Sequence, residues 1–192
     1  MGHLLQARRV GTVPGLTDFN SGSHRQVATM FPACPRDWRW IGQRGCPGYD
    51  QSLPKSELVF RPHPNADGDV FAPVAEWHYV WGTARGWAMW RAIPPPGYLA
   101  LGDVFHYNYR PGREDTFTTY ACVRADCALT VPVGDELWNA HGTGTRQAAS
   151  MWTIPDGTPA PWRRFHVQPD HHRPHGPFHI LDPRLVEVLP DP

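Results

Sequence analysis

The chain has 192 residues, enough for one domain with a substantial buried core. Lysine plus arginine equals aspartate plus glutamate at 18 each, which argues against binding nucleic acid or an anionic membrane by bulk charge. Its 22 prolines and 18 glycines exclude long helices, its nine tryptophans exclude a disordered chain, and no apolar run reaches the length of a membrane span.

In chain order, the turn-forming run Asn20-Ser21-Gly22-Ser23 leads into a predicted strand from Gln26 to Phe31 that Pro32 to Pro35 interrupts. Trp38 to Gly42 follows, with Trp and Ile on opposite faces if extended, and Leu58 to Phe60 makes the next strand. Trp77 to Trp81 is a strand of alternating aromatics. Gly82-Thr83 precedes a Met89-Trp90 strand that Pro94 to Pro96 ends. Gly97 to Val104 matches Trp38 to Gly42, and Tyr120 to Val123 matches Leu58 to Phe60. The order then recurs through Glu136 to Trp138, Gly142 to Thr145, Met151-Trp152, Pro155, Trp162 to Phe165 and Phe178 to Leu181. No segment sustains a 3.6-residue period, so the expected class is all-β.

One short pattern appears three times: Arg25 to Phe31, Arg85 to Trp90 and Arg146 to Trp152, with the arginines 60 and 61 residues apart. Repeats near 11–70, 71–131 and 132–192 within one domain are expected from it. About four short strands per unit cannot bury an apolar face alone, so the units must pack together. A pseudo-three-fold β-prism is the expected architecture, with a β-trefoil as the alternative, and the Met-Trp pairs should meet near the pseudo-axis. The aromatic and methionine set (Met30, Phe31, Trp38, Met89, Trp90, Tyr98, Met151, Trp152, Trp162) reads as core.

The run Met89 to Val104, with Trp138 ahead of Gly142-Thr143-Gly144, resembles the signature of the vacuolar protein sorting protein sixty-two family. The first unit departs from that signature, lacking a Pro-Gly-Tyr lead before Trp38 to Gly42. The resemblance implies a β-rich, prism-like domain and no defined activity. Prism domains elsewhere serve as lectins and as targeting modules of toxins, an analogy of fold alone.

Four cysteines fall into two local pairs, Cys34 with Cys46 and Cys122 with Cys127. As disulfides they would imply secretion; as free buried thiols they would suit a cytoplasmic protein. Met1 to Leu16 holds no apolar core for a signal peptide, and neither pair has the spacing of a zinc knuckle.

Turns carrying hydroxyls and amides are the preferred ligand-binding residues: Asn20, Ser21, Ser23, Arg25, Thr83, Arg85, Asn139, His141, Thr143, Thr145 and Arg146. The plainer reading of each is turn chemistry, with the arginines tying turn carbonyls. His166, His171, His172 and His175 form a dense run that suggests a metal, but its prolines favour a solvated loop. No nucleophile elbow or phosphate loop is present, and Asp103 with His106 is a weak acid–base pair. The sequence therefore favours a non-enzymatic recognition domain without a cofactor, binding a glycan or another small surface ligand. The rivals are an enzyme using the histidine-rich third unit, and a targeting or structural module of a toxin-like or multi-chain assembly with a protein partner.

Overall fold

The computed structural model describes residues 2–17, 26–48, 52–84, 86–107, 115–142 and 145–191. The chain is all-β. Among the described residues, helix is confined to Asp115–Thr118 and to 3-10 turns at Ala125–Cys127 and Pro183–Leu185.

The strands follow one order of pairing that recurs along the chain. First come β1 (Leu5–Val10), β2 (Thr12–Thr17), β3 (Val27–Pro32), β4 (Arg44–Pro47) and β5 (Glu57–Pro62). Strands β2, β3 and β4 form an antiparallel meander, and β5 returns to pair with β1. Next are β6 (Phe71–Ala72), β7 (Glu76–Gly82), β8 (Trp87–Ile93), β9 (Tyr98–Leu99), β10 (Val104–Tyr107) and β11 (Cys122–Arg124). Here β7, β8 and β10 make the meander, and β11 pairs with β6 and β9. Then β12 (Ala128–Val131), β13 (Glu136–Asn139), β14 (Ser150–Ile154), β15 (Arg163–Gln168) and β16 (Phe178–Leu181) repeat the scheme, β12 pairing with β16. The last strand, β17 (Val186–Val188), runs parallel to β1 and ties the chain's end to its beginning. A β15–β4 pairing also joins the first and third meanders into one six-stranded sheet.

Proline sets the ends of the central strands, because it can neither donate to a ladder nor leave its own φ. Strand β3 stops at Pro32, β8 just before Pro94 and β14 just before Pro155. Each meander's opening strand carries a register shift: between Pro14 and Thr17, Tyr79 and Trp81, and Glu136 and Trp138. Counted from these bulges, Met30 takes the place of Trp90 and Trp152, and buried Thr29 that of Met89 and Met151.

The one-residue offset changes the expected core. Met89 and Met151 share a cluster with Trp81, Trp138, Phe105, Phe165 and Val27, drawn from all three meanders. Met30 lies instead with Ala28, Cys46 and Trp162, so the Met-Trp pairs do not meet as a set. Trp38 to Gly42 forms only isolated bridges at Arg39 and Trp40, not a strand. Trp40 and Ile41 nevertheless face different clusters, as alternation requires.

The residues that do converge are Gly42, Gly102 and Arg164. A Cβ on Gly42 would stand 3.4 Å from the Gly102 Cα and 3.0 Å from the Arg164 Cδ, and its φ of +149° disfavours any side chain. Arg164 is buried, and its Nη1 donates to Asp156 Oδ2 at 2.8 Å. The same carboxylate accepts from Arg44 at 3.1 Å, and Arg44 is also bound to Glu57. Burial alone would raise the Asp156 pKa, but Arg164 and Arg44 outweigh it and hold the group at about 2. Beside this knot the buried Gln43 side chain binds both backbone groups of Phe105, accepting from its N–H at 2.8 Å. Asp103 accepts from the Val167 N–H at 2.7 Å and from Arg91 at 2.9 and 3.2 Å. One meander is thus stitched to the next by side chains that complete its backbone.

Candidate functional site

Asn20, Ser21, Ser23, Arg25, Arg85 and Thr143 lie outside the described residues. Thr83 closes the β7–β8 turn: its N–H donates to Trp87 O at 2.8 Å and its hydroxyl accepts from the Trp87 N–H at 3.3 Å. Asn139 makes the local turn expected of its type, accepting from the His141 N–H at 3.1 Å and donating to Glu136 at 2.9 Å. Thr145 donates to Gln147 O at 3.0 Å, and Arg146 stands exposed between them. These hydroxyls and amides therefore shape turns first.

The β13–β14 connection makes contacts with two other parts of the chain. The Gln147 carbonyl accepts from the buried Trp81 indole N–H at 3.0 Å, which pins the β13–β14 connection to β7. The Gln147 side chain meets the Tyr79 hydroxyl at 3.5 Å. Tyr79 is 51% exposed, unusual for an aromatic in a strand, and stands edge-on to Trp90 at 5.5 Å. From the same connection, the His141 ring lies 3.8 Å from that of His171, tilted by 38°. His171 keeps one ring nitrogen, Nε2, buried with no hydrogen-bond partner among the described residues.

The histidine-rich loop is held there from beneath. The Trp152 indole donates to Ser150 Oγ at 2.8 Å, and Ser150 donates in turn to Asp170 O at 2.7 Å. Arg173 lies over the Trp152 ring at 5.4 Å and donates to Val133 O at 2.8 Å. The four histidines weighed as metal ligands do not come together. His166 sits apart, 3.7 Å from Asp103 and bonded to Gln168, its pKa lowered by burial. His172 and His175 are exposed, and no group of three or more potential ligands exists among the described residues. Asp103 faces Arg91 and Val167, while His106 stands edge-on to Phe117 at 4.5 Å.

The disulfide expectation is overturned. All four cysteines are free, and the supposed pairs are divided between separate parts of the core. Cys34 and Cys122 adjoin the Trp40 cluster, Cys46 the Met30 cluster and Cys127 the Leu5 cluster. Burial pushes the thiols up to about 11 at Cys34 and Cys127 and about 12 at Cys122, as for small apolar fillers. The condition under which secretion was expected does not hold.

Two features were missed in the sequence. Tyr79 sits in an aromatic alternation that did not mark it as a surface group, yet its ring is half exposed at the residue where the β7–β8 register shifts. Gln147 belongs to the repeated Arg-Gln pattern, which signalled a scaffold element and not a surface group.

Fold and surface together define an all-β domain in which the β13–β14 connection meets Tyr79 of β7 through Gln147 and His171 through His141. The fold is similar to that of GNIP1Aa from Chromobacterium piscinae, known from a crystal structure, with a TM-score of 0.78 over 97% of this chain. The two share 22% identity, so the likeness establishes fold alone, and the chain spans 38% of that protein's length. No protein-family model matches the sequence, and no curated protein matches it.

Proposed function

We propose that this chain is a non-enzymatic recognition domain that binds a glycan through the end formed by Tyr79, His141, Gln147 and the 170–173 loop. The observation that carries the reading is Tyr79. An aromatic ring half in water, held edge-on by Trp90 and flanked by an amide, suits the apolar face and hydroxyls of a sugar. A glycan array with the full chain and its Tyr79→Ala variant tests this. Binding by the wild type and at least about tenfold weaker binding by the variant are expected, since a stacked ring is worth about 1–3 kcal/mol. No wild-type binding across the array would defeat the proposal.

The finer architecture belongs to the same proposal. Repeats near 11–70, 71–131 and 132–192 arranged as a pseudo-three-fold prism would account for the recurring pairing order and for the meeting of Gly42, Gly102 and Arg164. The resemblance of Met89 to Val104 to the vacuolar protein sorting protein sixty-two family is kept as part of that reading. A second functional reading, a targeting or structural module within a larger assembly, is favoured by the partial span against GNIP1Aa. Under it, the chain would form a stable complex with a partner chain on gel filtration.

A further inference from the structure

A cleft elsewhere in the molecule shares no residue with that surface. It is an open cleft of about 700 Å³ lined by the β3–β4 connection and by Thr118 and Thr119 at the end of the short helix. That volume is in the range of small-molecule sites. Its lining combines apolar Val13, Phe31 and Pro35 with Arg36, Arg39 and Thr118. No acidic side chain lines it among the described residues.

The two arginines differ in a useful way. Arg39 is anchored, its Nη1 donating to the carbonyls of Arg36 at 2.7 Å and Trp38 at 2.8 Å, which leaves the rest of its planar fork for another partner. Arg36 is exposed on the same loop. Arg8 adds a third positive charge near Cys34, lying 4.5 Å over Trp38 with its buried Nε unpartnered among the described residues. Its charge and that of Arg39 both act on Cys34, which lines the cleft. Cations and hydrocarbon lining one cleft call for an amphipathic anion.

We propose that this cleft binds an organic carboxylate with an apolar body, its carboxylate between Arg36 and Arg39 and its body against Val13, Phe31 and Pro35. Cys34 reports on occupancy, being half-buried where the other three cysteines are buried. The experiment measures alkylation of Cys34 by N-ethylmaleimide at pH 9.5, by peptide mass spectrometry, alongside calorimetric titration. The probes are 3-phenylpropanoate, its neutral amide and inorganic phosphate. The acid is expected to slow alkylation at least fivefold and to bind at least about tenfold more tightly than the amide. Arg36→Gln, an exposed change that leaves the anchored Arg39 in place, should weaken the acid about tenfold. Equal binding of acid and amide, equal protection by phosphate, or no protection by the acid would each overturn the proposal. None of these outcomes touches Tyr79, so the glycan reading stands or falls separately.

Discussion

Gly42 and Asp156 show how much of this fold depends on single residues. Gly42→Ala would place a methyl group 3.0 Å from the Arg164 stem at a backbone angle that side chains avoid, costing about 1–3 kcal/mol. Gly102→Ala meets nothing nearer than 3.4 Å and should cost less, a ranking that urea denaturation can check. Asp156→Asn leaves buried Arg164 with a neutral partner, while Arg44 keeps Glu57, and about 3–5 kcal/mol should be lost. The pH dependence has a definite sign. The folded pKa of about 2 lies below the usual carboxylate value of about 3.9, so the folded state binds the proton less readily. The contribution is full above about pH 4 and fades as pH falls toward 2. Acid titration of stability should therefore be flatter in Asp156→Asn between those values, and an unchanged profile would show that this carboxylate is not held down by its arginines.

At the scale of elements, the relay from Trp152 through Ser150 to Asp170 fastens the histidine loop to β14. Ser150→Ala removes its middle and strands a buried indole N–H, at about 1–3 kcal/mol. Amides of residues 170–173 should then exchange faster than those of β14 itself, as hydrogen exchange would reveal. The elements are also where the limits of the sequence are plainest. Proline and glycine punctuation placed β3, β8 and β14 and the all-β class, because those residues act locally. The bulges were invisible. They shift Met30 by one place against its look-alikes, and a bulge is a property of two strands together. Likewise His166 stands close in sequence to His171, yet β15 carries it to Asp103 while the following loop turns toward His141. Cysteine spacing misled for the same reason, since Cys34 and Cys46 are near in sequence but lie in separate clusters.

For the whole molecule, the cluster around Met89 and Met151 takes side chains from all three meanders, and β17 on β1 joins the two ends of the chain. Calorimetry should therefore show one cooperative transition, and a peptide of residues 71–131 alone should not fold. Leu185→Ala, in the buried turn leading into β17, should lower the stability of the entire domain by about 2–5 kcal/mol and not merely fray its end. The most direct test uses the Trp81 indole, whose N–H donates to Gln147 O beneath the proposed glycan surface, as an NMR reporter. On titration with a glycan selected from the array, the Trp81 indole signal and the amides of 139–142, 145–148 and 170–173 should shift together. The Trp162 indole, bonded to Ser52 O and no part of that surface, should not move. Shifts centred on Trp162, or binding that leaves Trp81 and both loops unmoved, would contradict the assignment of recognition to this end.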